Sequence, residues 1–295
     1  MTAQTATLST GTVRSGGGRF KTLRRLRRGW LTLAAAVILL GFVLMAIFAP
    51  VIAPYSPLEM HFDDRFAPPS AQYWFGTDES GRDIFSRVVD GSRITMSVGF
   101  GSILLSLLIG LPLGLVAGFV GGKVDSIIMR ILDGLFAFPI IILALALVAA
   151  FGASVTNLII AIGILLSPRV ARISRSTVLV HQQRDYVLAA RSIGAPNNRI
   201  LFRTILPNCL SPIIVDASLS IAIAIKVEAS LSFLGLGVQV PYASWGSLLS
   251  FGYMDLTRAP WYAIFPGLCI FLVVLSINLV GDGVRDALEP RLRHR

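Results

Sequence analysis

Six long apolar segments constrain what this chain can fold into more than any other feature of its sequence. The first covers 30–53, and the others lie near 94–120, 126–151, 155–180, 208–234 and 261–281. Each is long enough to supply the ~20 residues that a helix needs to cross a bilayer. The first exceeds the apolar core of a signal peptide, which has about 7–15 residues, so we expect an uncleaved helix. The pattern predicts an all-α, polytopic membrane protein with six transmembrane helices.

The composition excludes several other classes of protein. Hydrophobic residues make up 54% of the chain and charged residues 14%, whereas a soluble domain has about 45–50% and about 25%. These values also exclude a disordered, collagen-like or disulfide-stapled chain, and Cys209 and Cys269 lie in apolar stretches as small core residues. The net charge of +10 does not indicate a nucleic-acid partner, because the arginines flank apolar segments and therefore set membrane orientation.

The distribution of Lys and Arg predicts how the chain is oriented in the membrane. With six crossings, segments 1–30, 121–130, 168–206 and 282–295 share one side, and they hold 20 of the 26 Lys and Arg residues. Because positively charged loops stay in the cytoplasm, both termini are predicted to be cytoplasmic.

The chain divides into five predicted regions. These are a basic cytoplasmic tail (1–29), a first transmembrane helix (30–53), an extracytoplasmic loop (54–93), a five-helix core (94–281) and a cytoplasmic tail (282–295). The core contains a polar cytoplasmic segment at 181–207. In the extracytoplasmic loop, Thr77 or Asp78 is predicted to cap a short amphipathic helix that ends before Gly91.

Two kinds of residue predict how the helices pack. Gly110, Gly114, Gly118 and Gly122 recur every fourth residue, so one helix face is nearly bare backbone that another helix can approach closely. Prolines interrupt the apolar segments, and neighbouring helices must satisfy the carbonyls that they free. These prolines are Pro112, Pro139, Pro168, Pro212 and Pro266.

No sequence motif indicates an enzyme. Gly122 and Lys123 are followed by Val124, with no glycine five residues earlier, so the chain has no Walker A loop. Neither an HExxH pattern nor a Gly-x-Ser-x-Gly elbow is present. His61, Asp63 and Asp64 are predicted to form a solvated cluster rather than a metal site. Any uphill transport must therefore take its energy from an ion gradient or a partner.

The polar segment contains an amphipathic helix at 184–194. Val187, Ala190 and Gly194 fall on one helix face, and Gly194 is predicted to end the helix in the left-handed conformation. Ala195 and Pro196 then begin a second short helix that leads to Pro207. Such a segment is either a surface that docks into another protein's groove or a simple re-entry loop.

Residues 186–208 resemble the EAA loop of ABC importer permeases, EAA-x3-G-x9-I-x-LP. Leu188 and Thr204 depart from the pattern at its Glu and Ile positions. The matching residues are Ala189, Ala190, Gly194, Leu206 and Pro207.

Further motifs are similar to the C-type subunit of the dipeptide/oligopeptide/nickel importer family. They lie at 76–83, 86–87, 91–93, 121–125, 129–130, 133, 138–139, 228–237 and 244–246. The resemblance does not include residues 1–29.

The resemblance implies the fold of a type I ABC importer permease, with a cytoplasmic coupling helix, in the bacterial inner membrane. It also implies a second homologous permease, two ATP-binding subunits or domains, and an extracytoplasmic substrate-binding protein as partners. ATP and Mg would be bound by the partner subunits, and no cofactor by this chain. The implied coupling residues are Arg184, Asp185, Tyr186, Ala189, Ala190, Arg191, Gly194, Ala195, Leu206 and Pro207.

Two acidic residues in the fifth apolar segment are candidates for the translocation pathway. Asp216 lies nine residues beyond Pro207, or about 13.5 Å along a helix, near the middle of the membrane. It faces either the cationic end of a peptide or a partner on another helix. Glu228 and Lys226 are predicted near the outer interface, where they snorkel or pair at modest cost.

The family admits more than one cargo. Oligopeptides or dipeptides are the leading prediction, and nickel or a metal chelate is the alternative. Two hypotheses lie outside this family: a stand-alone secondary carrier, and a membrane scaffold without transport activity. A carrier of that kind often shows inverted repeats, and none is evident here.

The role of the outer loop 54–93 also has two possible interpretations. It contacts the binding protein or caps the complex, or its polar residues serve only as helix caps and an internal Arg–Asp pair.

Overall fold

The computed structural model describes the backbone of residues 18–288 and the side chains of residues 29–288. Most of the predicted N-terminal tail and the end of the C-terminal tail lie outside these described residues. The helices in chain order are α1 (Gly18–Ile47), α2 (Ala49–Ile52), α3 (Ile84–Val120), α4 (Gly122–Phe136), α5 (Ile140–Phe151), α6 (Val155–Gln182), α7 (Asp185–Ser192), α8 (Asn197–Arg199), α9 (Leu206–Phe233), α10 (Trp245–Met254) and α11 (Pro260–Leu288). A 3-10 turn at Phe62–Asp64 and a π-helical turn at Ile200–Ile205 complete the list. Within residues 18–288 the only β pairing is a bridge between Thr77 and Asp83, which confirms the all-α class.

Five of the described helical segments are long and apolar enough to cross a membrane. They are Gly29–Ile47, Ile84–Val120, Val155–Gln182, Asn197–Phe233 and Pro260–Leu288. Helices α4 and α5 together pass the same test but are bent by 87° relative to each other, so a sixth crossing would be a broken one.

The break falls in the segment 126–151, which the sequence presented as one apolar block. Pro139 has no amide hydrogen, and the residue before a proline avoids the helical region, so α4 ends before Phe138 and α5 begins after Pro139. Pro112, Pro168 and Pro266, in contrast, lie inside continuous helices.

The prediction of a short helix ending before Gly91 is wrong. Asp83 caps the helix instead, because its Oδ2 accepts a hydrogen bond from the Ser86 amide at 2.8 Å. Helix α3 then runs without a stop through Gly91 to Val120. A Cβ atom at Gly91 would lie 2.9 Å from the Ala243 carbonyl oxygen, so this glycine is required for close packing and not for a helix end.

The glycine stripe of α3 is the contact between α3 and α6. A Cβ atom added to Gly110 would lie 2.8 Å from the Cβ of Val170, and one added to Gly118 would lie 2.9 Å from the Cβ of Val178. Because real Cβ atoms do not approach so closely, only glycine permits this helix spacing. Gly122 does not belong to the stripe: it begins α4 with φ +56°, and no described atom lies within 4 Å of its Cβ position.

Helix α10, which was not predicted, closes the end of the bundle where α3 begins. Ser244 and Ser247 form a reciprocal capping box at its first turn. The Trp245 side chain is fully buried, and its Nε1 donates to the Val88 carbonyl at 2.8 Å. The cap and the indole together hold α10 against the first turns of α3.

Candidate coupling surface and translocation pathway

Helix α7 ends in a Schellman motif built on Gly194. The Gly194 amide donates to the Arg191 carbonyl at 2.9 Å, and the Ala195 amide donates to the Ala190 carbonyl at 3.1 Å. Gly194 has φ +75°, the left-handed conformation that glycine adopts without a Cβ penalty. No described atom lies within 4 Å of its Cβ position, so the chain itself leaves this corner open.

One side of α7 is fixed to the bundle and the other is free. Val187 is fully buried in a cluster with Ile200, Ile205 and Cys209. On the free side, Leu188 is 49% exposed and Ile193 is 85% exposed, while Ala189 and Arg191 are also exposed. The helix therefore presents an apolar surface to its surroundings. Of the three residues predicted to share a face, Val187 and Ala190 turn toward the chain, and Gly194 turns outward.

The remaining predicted coupling residues surround this helix. Arg184 and Asp185 are exposed at its start, and Tyr186 shares a hydrogen bond of 2.6 Å between its hydroxyl and His181 Nδ1. Burial of the ring raises the pKa of Tyr186, so its hydroxyl stays protonated at neutral pH. Leu206 is half-buried and Pro207 is exposed in the first turn of α9.

The predicted second short helix is not separate from the membrane helix that follows. The backbone is helical from Asn197 to Phe233, through α8, the π-helical turn and α9. In the π-helical turn the Leu206 amide bonds to the Leu201 carbonyl. This π-helical turn comes just before Pro207. Proline has no amide hydrogen, so it could not continue the regular series of α-helical hydrogen bonds. Helix α7 is therefore attached to one continuous helical rod.

The outer loop is organised around the buried carboxylate of Asp78. Its Oδ2 accepts from Arg82 Nε at 2.7 Å and from Arg87 Nη1 at 2.9 Å. The side chains of Asp78, Arg82 and Arg87 are 0%, 6% and 1% exposed. Charges removed from water must be paired in this way, so the Asp78 cluster supports the structural reading of this motif.

Tyr73 anchors the same loop from the other side. Its hydroxyl donates to Asp64 Oδ2 at 2.8 Å. Burial and the adjacent Asp64 carboxylate raise the pKa of Tyr73 to about 12, so it remains a neutral hydrogen-bond donor. This contact ties Tyr73, in the middle of the loop, to the 3-10 turn.

Asp216 makes an ion pair with Arg169, and so joins α9 to α6. Its Oδ1 accepts from Arg169 Nε at 2.8 Å and lies 2.7 Å from Arg169 Nη2. The carboxylate side chain is 10% exposed, whereas the guanidinium side chain is 42% exposed. The sequence placed Asp216 alone near the middle of the membrane, and the structure gives it a cationic partner on another helix.

Two further ion pairs on α6 were not predicted. Arg172 Nη2 lies 2.5 Å from Asp133 Oδ1, and Arg175 Nε lies 2.5 Å from Asp125 Oδ1, both on α4. Their signal was available in the sequence as three arginines at a spacing of three, 169, 172 and 175, beside an apolar segment. Arginines within a membrane-spanning helix must be paired with counter-charges or face water, because their charge is costly in lipid.

Glu228 is enclosed by protein and does not extend to solvent. Its side chain is fully buried, and its Oε1 accepts from the Ser232 hydroxyl at 2.7 Å. The hydroxyls of Thr95 and Ser244 also face it. Of the two expectations for Glu228, snorkelling to solvent is wrong, and the structure instead gives it a hydrogen-bond partner within the protein. The structure does not bring Glu228 together with Asp216, because the two residues lie 12 positions apart on α9.

Family comparisons agree with the topology described above. The sequence model of the family described as "Binding-protein-dependent transport system inner membrane component" matches residues 110–294. A second model, the "N-terminal TM domain of oligopeptide transport permease C", matches residues 21–69. Together the two matches include the first apolar helix, α7 and the candidate pathway residues Asp216 and Glu228.

The curated relatives match along nearly the whole chain. The dipeptide transport system permease protein DppC of Alkalihalophilus pseudofirmus is 44% identical over 270 residues, covering 92% of this chain and 89% of the relative. The glutathione transport system permease protein GsiD of Shigella flexneri is 48% identical over 271 residues, with the same coverage of both chains. The di/tripeptide permease DppC of Pseudomonas aeruginosa is 44% identical, covering 89% of this chain and 88% of the relative.

Solved structures show the same fold at low sequence identity. The inward-facing MetNI methionine ABC transporter superposes with a TM-score of 0.56 at 18% identity, covering 70% of this chain and 96% of that one. An amino acid ABC transporter crystallised with histidines gives a TM-score of 0.53 at 18% identity, covering 69% of this chain and 93% of that one.

Proposed function

Because the chain belongs to the family of binding-protein-dependent transport system inner membrane components, we propose that it forms half of the translocation pathway of an ATP-driven importer of short peptides. The named relatives carry dipeptides, glutathione and di- or tripeptides, which are all short peptides. The match to the oligopeptide permease C domain supports the same cargo class. The chain is a multi-pass protein of the inner membrane.

The observation that carries the proposal is the free surface of α7. An exposed isoleucine and leucine beside an open left-handed glycine form a shape that another protein's groove can receive. On its other side α7 is fixed to the rod that contains α9 through Val187. A push on α7 is therefore transmitted to a membrane helix, and rigid-body coupling of this kind links distant sites.

The proposed partners follow from this arrangement. One ATP-binding subunit or domain engages α7, and another engages the equivalent helix of a second homologous permease. An extracytoplasmic binding protein delivers the peptide. ATP and Mg bind to those partners, and this chain performs no hydrolysis itself. In this assembly both termini and α7 are cytoplasmic, and the Asp78 cluster lies at the opposite end of the bundle.

Purification of the tagged full chain from its own membranes tests the assembly. The membranes are solubilised gently, and the retained proteins are identified by mass spectrometry. We expect a second permease and ATP-binding subunits in comparable amounts. The recovered complex, placed in liposomes with its binding protein and ATP, is expected to accumulate a radiolabelled dipeptide.

The same experiment distinguishes this function from the alternative hypotheses. A folded chain recovered alone, with uptake driven by an ion gradient, would support a stand-alone carrier. A complex that assembles and hydrolyses ATP but accumulates no peptide would rule out the peptide cargo while leaving the importer architecture in place.

A further inference from the structure

Arg169 lies at the midpoint of α6, a helix long and apolar enough to cross a membrane, and not in a cytoplasmic segment as the orientation count over 168–206 assumed. It is 14 residues from Val155 and 13 from Gln182, the two ends of α6. At 1.5 Å per residue these separations are about 21 and about 20 Å. A charge at this depth costs several kcal/mol in contact with lipid, so it faces protein or water.

The exposed member of the Arg169–Asp216 pair is the cation. Asp216 is 10% exposed and already receives two nitrogens of Arg169 on one oxygen, whereas the Arg169 side chain is 42% exposed. The pair uses Nε and one terminal nitrogen, so the second terminal nitrogen is not engaged by the carboxylate. A passing ligand therefore meets a guanidinium and not an aspartate.

An independent feature places a non-lipid environment at the same depth. Helix α5 has 12 residues, or about 18 Å, and only three residues separate it from the first residue of α6. The break at 137–139 thus lies close to the level of Arg169. Its residues are exposed, and irregular backbone at membrane depth occurs only where protein or a water-filled cavity covers it.

The break and the arginine row are also in contact. The Arg172 guanidinium carbon lies 4.1 Å from the centre of the Phe136 ring, at the end of α4. Arg172 itself is one turn along α6 from Arg169 and is 47% exposed. The exposed arginines and the broken helix therefore belong to one surface at the middle of the membrane.

We propose that Arg169 lines the translocation pathway and binds the terminal carboxylate of the peptide in transit. This inference rests on the peptide-import function proposed above. A free carboxylate is the one anionic group that peptides of every sequence share, and a guanidinium binds carboxylates through directed, charge-assisted hydrogen bonds. Asp216 is the positioning residue: it holds the guanidinium at the pathway wall and balances its charge when no peptide is present.

The test uses the whole complex in liposomes, with ATP and the unaltered binding protein. Uptake is measured for a dipeptide and for its C-terminally amidated analogue, at concentrations at which the wild-type complex imports both. The variants are Arg169→Gln, Arg169→Lys and the double variant Arg169→Gln with Asp216→Asn, which removes both charges so that neither is left uncompensated. The matched control is Arg93→Gln, which removes an arginine that is 52% exposed but lies near the start of α3.

We expect the double variant to assemble normally and to lose about tenfold in uptake of the free-acid dipeptide, with a much smaller loss for the amide. Arg169→Lys should fall between the wild type and Arg169→Gln, because it keeps the charge but not the fork of donors. Arg93→Gln should leave the ratio of the two uptakes unchanged. Because the binding protein is the same throughout, a change in this ratio belongs to the permease.

Two outcomes would overturn the inference. Equal losses for both peptides in the double variant, with normal assembly, would mean that Arg169 serves packing or the second permease, and the peptide-import function would stand. A wild-type complex that imports neither peptide would remove the proposed function and this inference with it.

Discussion

Gly114 and Ser174 meet so closely that a Cβ atom added to Gly114 would lie 2.7 Å from the Cβ of Ser174. The carbonyl of Ala171 is nearer still, and a backbone atom inside a helix cannot move away alone. We therefore expect Gly114→Leu to force α3 and α6 apart, at a cost of about 1–3 kcal/mol or more. The thermal unfolding midpoint of the detergent-solubilised protein measures this loss.

A matched control is available on the next helix. Gly134 lies inside α4, and no described atom comes within 4 Å of its Cβ position. Gly134→Leu should therefore leave the unfolding midpoint unchanged or raise it slightly, because glycine is a poor helix former. Equal destabilisation by the two variants would contradict the packing role given to Gly114.

The buried pair of Asp78 and Arg87 predicts a second stability effect. Asp78→Asn keeps the size of the side chain but leaves the buried Arg87 guanidinium without its counter-charge, and it leaves Arg82 with Glu79 as its remaining carboxylate partner. Breaking such a pair costs about 3–5 kcal/mol, so we expect the outer loop to become accessible to added protease in spheroplasts. Asp90→Asn is the comparison, because Asp90 lies 3.6 Å from the half-exposed Arg93, and surface pairs contribute about 0–1 kcal/mol. Cleavage at the same rate in both variants would refute the structural importance of Asp78.

Features with a local cause could be predicted from the sequence. The left-handed turn at Gly194 follows from a glycine after an amphipathic helix, and the close packing of Gly110, Gly114 and Gly118 follows from their spacing alone. The apolar segments likewise gave the membrane-spanning helices, because lipid imposes their length. The signal for each of these lies in residues a few positions apart, although the helix that packs on the glycines, α6, is distant in sequence.

Features that depend on distant partners could not be predicted. Asp216 meets Arg169 from a helix 47 positions earlier in the chain, and no local pattern indicates that pairing. Gly91 looked like a helix end because its packing partner, Ala243, lies far away in sequence. Glu228 was expected to snorkel because its enclosure by Thr95 of α3 and Ser244 at the start of α10 is a tertiary property.

Gly194 offers a direct test of coupling to the ATP-binding partners. Gly194→Trp places a bulky ring on the open corner of α7, and the left-handed backbone adds a strain of about 1–2 kcal/mol. We expect the variant to insert into the membrane and to pair with the second permease, but to lose the ATP-binding subunits and peptide uptake. Quantitative mass spectrometry of the purified complex and dipeptide uptake measure the two losses.

Gly235 is the matched control for Gly194→Trp. It also ends a helix in a Schellman motif, with φ +82° and no described atom within 4 Å of its Cβ position, but at the far end of α9. Gly235→Trp carries the same strain and should retain the ATP-binding subunits. Normal uptake by Gly194→Trp, or loss of these subunits from both variants, would contradict the assignment of α7 as the coupling helix.

Asp216 gives the last prediction, because its role follows from its partner. Asp216→Asn retains an oxygen that can accept from Arg169 but removes the balancing charge, so the guanidinium is held less firmly. We expect a reduction in uptake of about threefold to tenfold, and the same factor for neutral, basic and acidic peptides, since the shielded carboxylate does not meet their side chains. Uptake of the three peptide classes by the reconstituted complex measures it. The matched variant is Asp133→Asn, whose side chain is 59% exposed beside Arg172 and which should have a smaller effect. A selective loss of basic peptides in Asp216→Asn would instead make Asp216 itself the contact for cationic cargo.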